Sequence, residues 1–304
     1  LQKNIKFDIT HKKLYDFKVS NFLKHPCCNK NNAVKCGRYR RRSDGRTIQR
    51  YKCKTCACSF SQATFDPAYY QKKRQLNHKC MMLLASCISM RRIALVLGIH
   101  PITVARKLEY ISAQSQLKWR EESRHVAPDS AIQFDELQTI EHTKCKPLSI
   151  AMAVTEKGRK ILGFHVSQMP ATGHLAAISR KKYGYRKDLR VEGMITLFEQ
   201  LKAQLAPTIR LKSDECSFYQ PIVKTFFPAA SYAQFKGQKG AISGQGELKK
   251  TKIDPLFSIN HTFAMLRANI NRLVRKTWCT TKKVSRLIDH LNIYLWVHNS
   301  KLTA

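Results

Sequence analysis

Ala131-Ile132-Gln133-Phe134-Asp135 is an apolar run of strand length that closes on an acid, in a chain with few acids to spend. Downstream of it, strand-like and helix-like stretches alternate. Leu148 to Val154 and Lys160 to Val166 are apolar runs separated by Glu156-Lys157-Gly158, the composition of a hairpin turn. Within Val191 to Leu205, the residues Met194, Leu197, Leu201 and Leu205 recur at helical spacing. Thr208 to Lys212 is another short strand, ending at Asp214, and Ser231 to Phe235 supplies a fifth. Two long helices are expected to finish the chain, over Pro255 to Lys276 and Lys282 to His298.

Three antiparallel strands, a helix, a strand, a helix and a strand is the order of elements in an RNase H-like fold, although other α+β folds share it. The expectation is therefore an α/β domain over 125–304, a mixed sheet with flanking helices. Upstream the character changes twice. Residues 1–62 hold Cys27, Cys28, Cys36, Cys53, Cys56 and Cys58 among basic residues, with little aliphatic content, whereas 63–124 is helical in pattern. The chain reads as multidomain: a basic leader with a metal knuckle, a helical region and an α/β domain.

Charge narrows the partners. Lys and Arg total 55 against 20 Asp and Glu, a formal net charge of +35 on 304 residues. Such a field attracts polyanions, and neutralising phosphates releases condensed counterions, so nucleic acid is the natural partner. With 43% hydrophobic residues, real cores can form. The longest apolar run, Met81 to Ile88 between Lys79 and Arg91, is far short of the roughly 18–20 residues that span a bilayer. Leu1 to Lys6 has no apolar core of a secretory signal. No membrane role and a reducing, cytoplasmic setting are expected, with the 11 cysteines as thiols or metal ligands rather than disulfides.

Cys53-Lys54-Thr55-Cys56 is a C-x-x-C, and His25-Pro26-Cys27-Cys28 supplies a second knuckle upstream. Joined by a basic hairpin over Val34 to Lys52, they have the layout of a zinc ribbon. Tetrahedral Zn²⁺ needs four N or S donors, and a two-residue gap lets one tight turn present two of them. His25 and Cys28 share the gap of Cys53 and Cys56, whereas Cys27 with Cys28 would make a cramped adjacent pair. Cys36 and Cys58 are expected to stay free. A segment this basic and aliphatic-poor could hardly fold without a metal.

Between Ser89 and Ile111 the pattern is that of a helix-turn-helix. Ser89 suits a helix cap, Ile93, Ala94 and Leu97 make one apolar face, Gly98 supplies the turn and Pro101 begins the next helix. Val104, Leu108 and Ile111 then face inward, which leaves Thr103, Arg106 and Lys107 outward, as a recognition helix presents polar and basic groups to the major groove.

Two-metal phosphodiester chemistry needs converging carboxylates. Asp135 and Asp214 end two expected strands at the rim of one sheet. Their neighbours Glu136 and Glu215 point the other way if the strand period holds.

These motifs together resemble a known group. His25-Pro26-Cys27-Cys28, Gly37-Arg38-Tyr39, Ser43-Asp44-Gly45-Arg46, Gln49 to Cys53 and Phe60-Ser61 are similar to the zinc-ribbon leader of bacterial insertion-sequence transposases. Leu97-Gly98-Ile99-His100 with Thr103-Val104, Phe134-Asp135-Glu136, Ser213-Asp214 and Arg272 to Cys279 succeed one another in the order found there. The resemblance covers nearly the whole chain and is closest to the Insertion Sequence One-like group and its relatives. It implies DNA cleavage and strand transfer with Mg²⁺ or Mn²⁺ at the catalytic site and Zn²⁺ in the ribbon. Double-stranded DNA, as terminal inverted repeats and target, would be the partner, bound by a homodimer or larger assembly on the bacterial nucleoid.

The resemblance makes Asp135 and Asp214 the first two acids of a catalytic triad. Counting back from Arg275-Lys276-Thr277, the position expected to hold Glu is Asn260, and related families carry Asn there. An amide carbonyl can ligate a hard cation but adds no charge; Glu247 and Asp254 are the carboxylates that could substitute. Ile259, Phe263, Leu266, Ile270 and Leu273 form an apolar stripe at helical spacing. Asn260 and Arg267 share another face, about 10 Å apart along the axis, with Arg272, Arg275 and Lys276 extending a basic surface for DNA. Asn260 also motivates a second reading, a catalytically inactive transposase-derived DNA-binding protein or repressor.

Overall fold

The computed structural model describes residues 28, 32–42, 44–69, 71–123, 131–236, 254–274 and 278–302. The chain divides into two compact units, Leu1–Leu76 and Asn77–Ala304. The helical stretch and the sheet thus belong to one unit rather than to separate ones.

The first unit is a three-stranded antiparallel sheet of β1 (Ala33–Arg40), β2 (Thr47–Cys53) and β3 (Ser59–Ser61). β1 and β2 lose register between Lys35 and Arg38, where Gly37 sits at φ 72°, a left-handed conformation that suits glycine. Gln49 fills the irregularity: its amide donates to the Gly37 carbonyl at 2.8 Å and its Oε1 accepts from Arg38 at 3.0 Å. The core is small. Tyr51 stacks on Phe60 at 5.5 Å, Phe60 meets Phe65 edge-on, and Ala63 and Ala68 complete it.

The second unit begins with α1 (Asn77–Leu84), α2 (Met90–Leu97) and α3 (Pro101–Ser123). Ser89 caps α2, accepting from the Arg92 amide, and Gly98 ends it at φ 58°. Ile93, Ala94, Val104, Leu108 and Ile111 are buried, as the spacing predicts. Next along the chain come β4 (Ala131–Ile140), β5 (Pro147–Thr155), β6 (Ile161–Gln168), α4 (Leu175–Tyr183), α5 (Arg190–Lys202), β7 (Arg210–Asp214), α6 (Tyr219–Phe226), β8 (Ser231–Phe235), α7 (Phe257–Asn269) and α8 (Val284–Val297). The strands form one sheet in the order β6-β5-β4-β7-β8. β4, β5 and β6 run antiparallel, whereas β7 is parallel to β4 and β8 to β7. This mixed sheet with flanking helices is compatible with the RNase H-like domain expected.

On one face of the sheet, Ile132, Phe134, Ala151, Ala153 and Leu162 pack against Met194, Leu197, Phe198 and Leu201 of α5 and Tyr219, Ile222 and Val223 of α6. α5 lies close over β6, since a Cβ on Gly193 would come within 1.9 Å of Ser167 Oγ. α3 packs along α8, joined by a buried chain in which Trp119 Nε1 donates to Asn292 Oδ1 at 3.3 Å and Asn292 donates to Ser112 Oγ at 3.2 Å. Beyond α8, Asn299 grips edge strand β6, accepting from Ile161 N at 2.9 Å and donating to Ile161 O at 2.8 Å. Among the described residues no helix is long and apolar enough to cross a membrane.

Three elements depart from the expectation. β4 runs on to Ile140, and α4 arises where no helix is anticipated, whereas α6 fills the place of the helix expected between the last two strands. The helix expected to reach Lys276 stops at Asn269, because Ile270 is extended at φ −112°, ψ 106°. Ile270 and Leu273 are buried nonetheless, so the apolar stripe continues along a non-helical chain.

Candidate active site

Parallel pairing of β4 with β7 builds the site. Ala131 faces Arg210, Ile132 faces Leu211 and Gln133 faces Lys212. Continuing that register sets Asp135 beside Asp214, and register partners in a sheet project on the same face. Asp135 Oδ1 accepts from the Glu136 amide at 2.6 Å and from the Tyr219 hydroxyl at 3.4 Å. No described residue donates to its Oδ2. The Asp214 carboxylate accepts from the Cys216 amide, but its Oδ1 is buried with no partner among the described residues.

Electrostatics agree with this geometry. Burial, and then the charge of Asp214, push Asp135 up from 3.8 to about 7. Burial also raises Asp214. Two part-buried carboxylates side by side resist losing both protons unless a cation joins them. An oxygen without a donor on each, one of them buried, is the donor set a hard divalent cation takes. The residues therefore fit such an ion.

Glu136 lies with Phe134 on the opposite face and accepts from Ser149 Oγ at 2.7 Å, while Glu215 is exposed. Glu136 thus faces away from Asp135, as the strand period predicts, although its charge still adds to the rise of Asp135. Beside Glu136, Arg190 at the start of α5 holds Asp188 through two oxygens, with Nη2 to Oδ2 at 2.7 Å.

The third position is less simple. α7 is docked onto β4 through Gln133, whose Oε1 accepts from Ile259 N at 3.0 Å and whose amide donates to Pro255 O at 2.9 Å. This places the start of α7 over the strand two residues before Asp135. Asn260 is exposed there, and its amide donates to Asp254 Oδ2 at 2.9 Å. Asp254 Oδ1 accepts from Leu256 N, tying the chain just ahead of α7. Among the described residues no hydrogen bond joins Asn260 or Asp254 to the two aspartates. Glu247 lies outside the described residues.

Several basic residues expected to face DNA are placed otherwise. Lys107 is not outward: it is buried, its ammonium donating to Asn77 Oδ1 at 2.5 Å. Arg272 is not on a basic surface either; it is buried, with Nε donating to His290 Nδ1 at 2.7 Å. Burial and then the Arg272 charge hold His290 down at about 3, so it stays neutral and can accept. Both cations are drawn inside by polar partners distant in sequence. Arg106 is exposed, and Thr103 and Arg267 are half-buried. Arg275 and Lys276 lie outside the described residues.

In the first unit, one ligand atom from each of Cys28, Cys53 and Cys56 falls within 4.8 Å of the others. Cys28 Sγ and Cys53 Sγ are 3.6 Å apart. A tetrahedral zinc with Zn–S of about 2.3 Å sets its sulfurs roughly 3.8 Å apart, so the spacing fits. The Cys56 amide, pointing at the buried Cys53 sulfur, lowers that thiol to about 7. His25 lies outside the described residues. Cys36 and Cys58 are exposed, and the Cys58 thiol is within hydrogen-bonding reach of Cys56.

No protein-family model and no curated protein matches the sequence. Several solved chains are faintly similar, two of which follow. One is the catalytic domain of Mos1 mariner transposase, at a TM-score of 0.31 and 12% identity over 65% of this chain and 89% of that one. The other is a simian T-cell lymphotropic virus intasome in complex with PP2A regulatory subunit B56 gamma, at 0.29 and 10% over 71% and 64%. Likeness this slight bears no weight, and the function has to be read from the residues themselves.

Two side chains of the site escape a reading of the sequence. Tyr219 opens α6 just after Asp214, and its hydroxyl steadies Asp135; its only sequence signal is an aromatic shortly after an acid that ends a strand. Gln133 looks like a polar interruption in an apolar strand, but it is the dock for α7.

Proposed function

We propose that this protein is a transposase of the insertion-sequence type. It binds the ends of a DNA element and carries out metal-dependent strand cleavage and strand transfer. One observation carries the reading: Asp135, midway along β4, lies in register with Asp214 at the end of the parallel neighbour β7, and each leaves a carboxylate oxygen without a donor among the described residues.

Asp135 and Asp214 would hold the divalent cation, Mg²⁺ or Mn²⁺. The chemistry such ions supply when bound is activation of a hydroxyl oxygen and neutralisation of charge on the phosphate. The Glu136 amide and the Tyr219 hydroxyl fix Asp135 Oδ1, which would leave Oδ2 to the cation. In this reading Cys28, Cys53 and Cys56, with His25 as fourth donor, hold zinc in the leader. The pair α2–α3 acts as the helix-turn-helix, with Thr103 and Arg106 toward the duplex; Arg267, Arg275 and Lys276 supply further backbone contacts. Joining two ends to a target calls for at least a homodimer on DNA. A bacterial cytoplasm, on the nucleoid, is the matching location.

The test is cleavage of terminal-repeat DNA with Mg²⁺ or Mn²⁺. Asp135→Ala and Asp214→Ala should each abolish strand cleavage while leaving DNA affinity within about twofold of wild type. Full cleavage by either variant removes the catalytic assignment. The engagement of Asn260 by Asp254 favours the second reading, an inactive DNA-binding relative. Wild type and Asn260→Asp that bind but both fail to cut would establish it.

A further inference from the structure

Trp278 is 99% exposed. The other tryptophans are covered: Trp119 is buried with its indole N–H bonded, and Lys118 Nζ lies 5.2 Å over the Trp296 ring. Trp278 meets no other ring or cation among the described residues. An indole kept out of a core forgoes roughly 1.5–3 kcal/mol of burial, so its position asks for a partner.

The segment that carries it is anchored. Thr281 is fully buried, its carbonyl accepts from the His142 amide at 2.7 Å, and Glu141 pairs with Thr281 as a β-bridge. Lys282 Nζ is held by Thr280 Oγ1 at 3.1 Å and lies 3.5 Å from His142 Nδ1. Lys282, Lys283, His142 and Lys144 are exposed, and the run from Trp278 to Lys283 contains no acid. The acid of the adjoining turn, Glu141, is half-buried. An exposed π face on a segment that carries Lys282 and Lys283 and is bridged to the turn bearing Lys144 is suited to a planar group on an anionic backbone. It is poorly suited to an apolar protein face, which would have to desolvate those ammonium groups.

We propose that Trp278, together with Lys282 and Lys283 of its own segment and Lys144 of the turn bridged to it, is a stacking platform for an unpaired base of a DNA strand. A base inside a duplex has both faces covered by its neighbours, so the platform takes a base only where a strand is single or opened. The proposal rests on the reading above only in taking DNA as partner and is independent of strand cutting.

The experiment uses the full chain, without added Mg²⁺ or Mn²⁺, and a labelled oligothymidylate alongside a duplex of equal length. Wild type should bind the single strand with quenching of tryptophan fluorescence. Trp278→Ala should lose that quenching and bind the single strand roughly 5- to 100-fold more weakly, the range of one stacked base. Trp278→Phe should keep most of the affinity, and duplex affinity should stay within about twofold in both variants. Lys282→Ala with Lys283→Ala should weaken both probes and flatten their salt dependence. Three results would overturn the platform. Trp278→Ala could bind oligothymidylate as wild type does, it could lose single strand and duplex alike, or it could alter the sedimentation of the DNA-free protein, which would place the ring against a second copy. Failure of cleavage in the aspartate variants, with these results intact, touches the catalytic reading alone.

Discussion

Strand β1 leaves most of its residues in water, whereas β5 is buried along nearly its whole length. The two units that hold these strands are organised by different means. The first has Phe60, Ala63 and Ala68 as its apolar centre and three sulfurs gathered at Cys28, Cys53 and Cys56. The second has a continuous core of sheet and helix residues. Under the proposed zinc reading, a unit with so little apolar surface to bury would depend on ligation, because metal-binding free energy becomes folding free energy. A unit with a real core has stability in reserve, and can hold two carboxylates where burial opposes their charge.

The sharpest way to break this contrast is to remove the sulfur cluster. Cys53→Ser, or a thiophilic chelator, should unfold the first unit and leave the second. The ligation lost is on the scale of about 10 kcal/mol for a structural zinc. Loss of the β1–β3 amide signals in an NMR spectrum, with the thermal transition of the rest unchanged, is the expected outcome. If the small sheet persists without metal, its aromatic contacts suffice and the contrast fails.

The second test addresses the reserve. A carboxyl raised from 3.8 to about 7 holds its proton more tightly folded than unfolded. Stability therefore falls as pH rises from about 4 to about 7, and stays low above that. Asp135→Asn removes the penalty. At pH 8, without divalent metal, it should stabilise the second unit by up to about 4 kcal/mol, at 1.36 kcal/mol per unit. The advantage should shrink as pH drops and vanish near the unfolded carboxyl value. Denaturant melts at pH 8 and pH 5 read it directly; an equal effect at both would remove the electrostatic explanation.

The smallest effect is local. Ser89→Ala deletes the side chain that accepts the Arg92 amide at the start of α2. About 1 kcal/mol should be lost from the second unit and nothing from the first. A change in the first unit's transition would show that the units do not melt separately.

Much of this was legible in the sequence where the signal is local. The hairpin about Glu156-Lys157-Gly158 forms as β5 and β6, the strand Ser231–Phe235 has the expected bounds, and Ser89 and Gly98 bracket α2. The features that escaped are set by contacts distant in the chain. Helical spacing from Ile259 to Leu273 records burial, and burial does not require the helix to continue past Asn269. Lys107 and Arg272 resemble surface cations until Asn77 and His290 are beside them. Of the site, Asp135 and Asp214 could be nominated, but Asp135 lies midway along β4 rather than at its end, and their adjacency depends on the parallel register of β4 with β7. Tyr219 becomes visible only once α6 is in place.

Shared ligation by two aspartates is most directly measured as Mn²⁺ binding to the zinc-loaded, DNA-free protein, followed by electron paramagnetic resonance. The account predicts a bound ion in wild type that is lost in Asp135→Ala and in Asp214→Ala alike. Undiminished binding in either variant would mean that the two carboxylates do not hold a common cation.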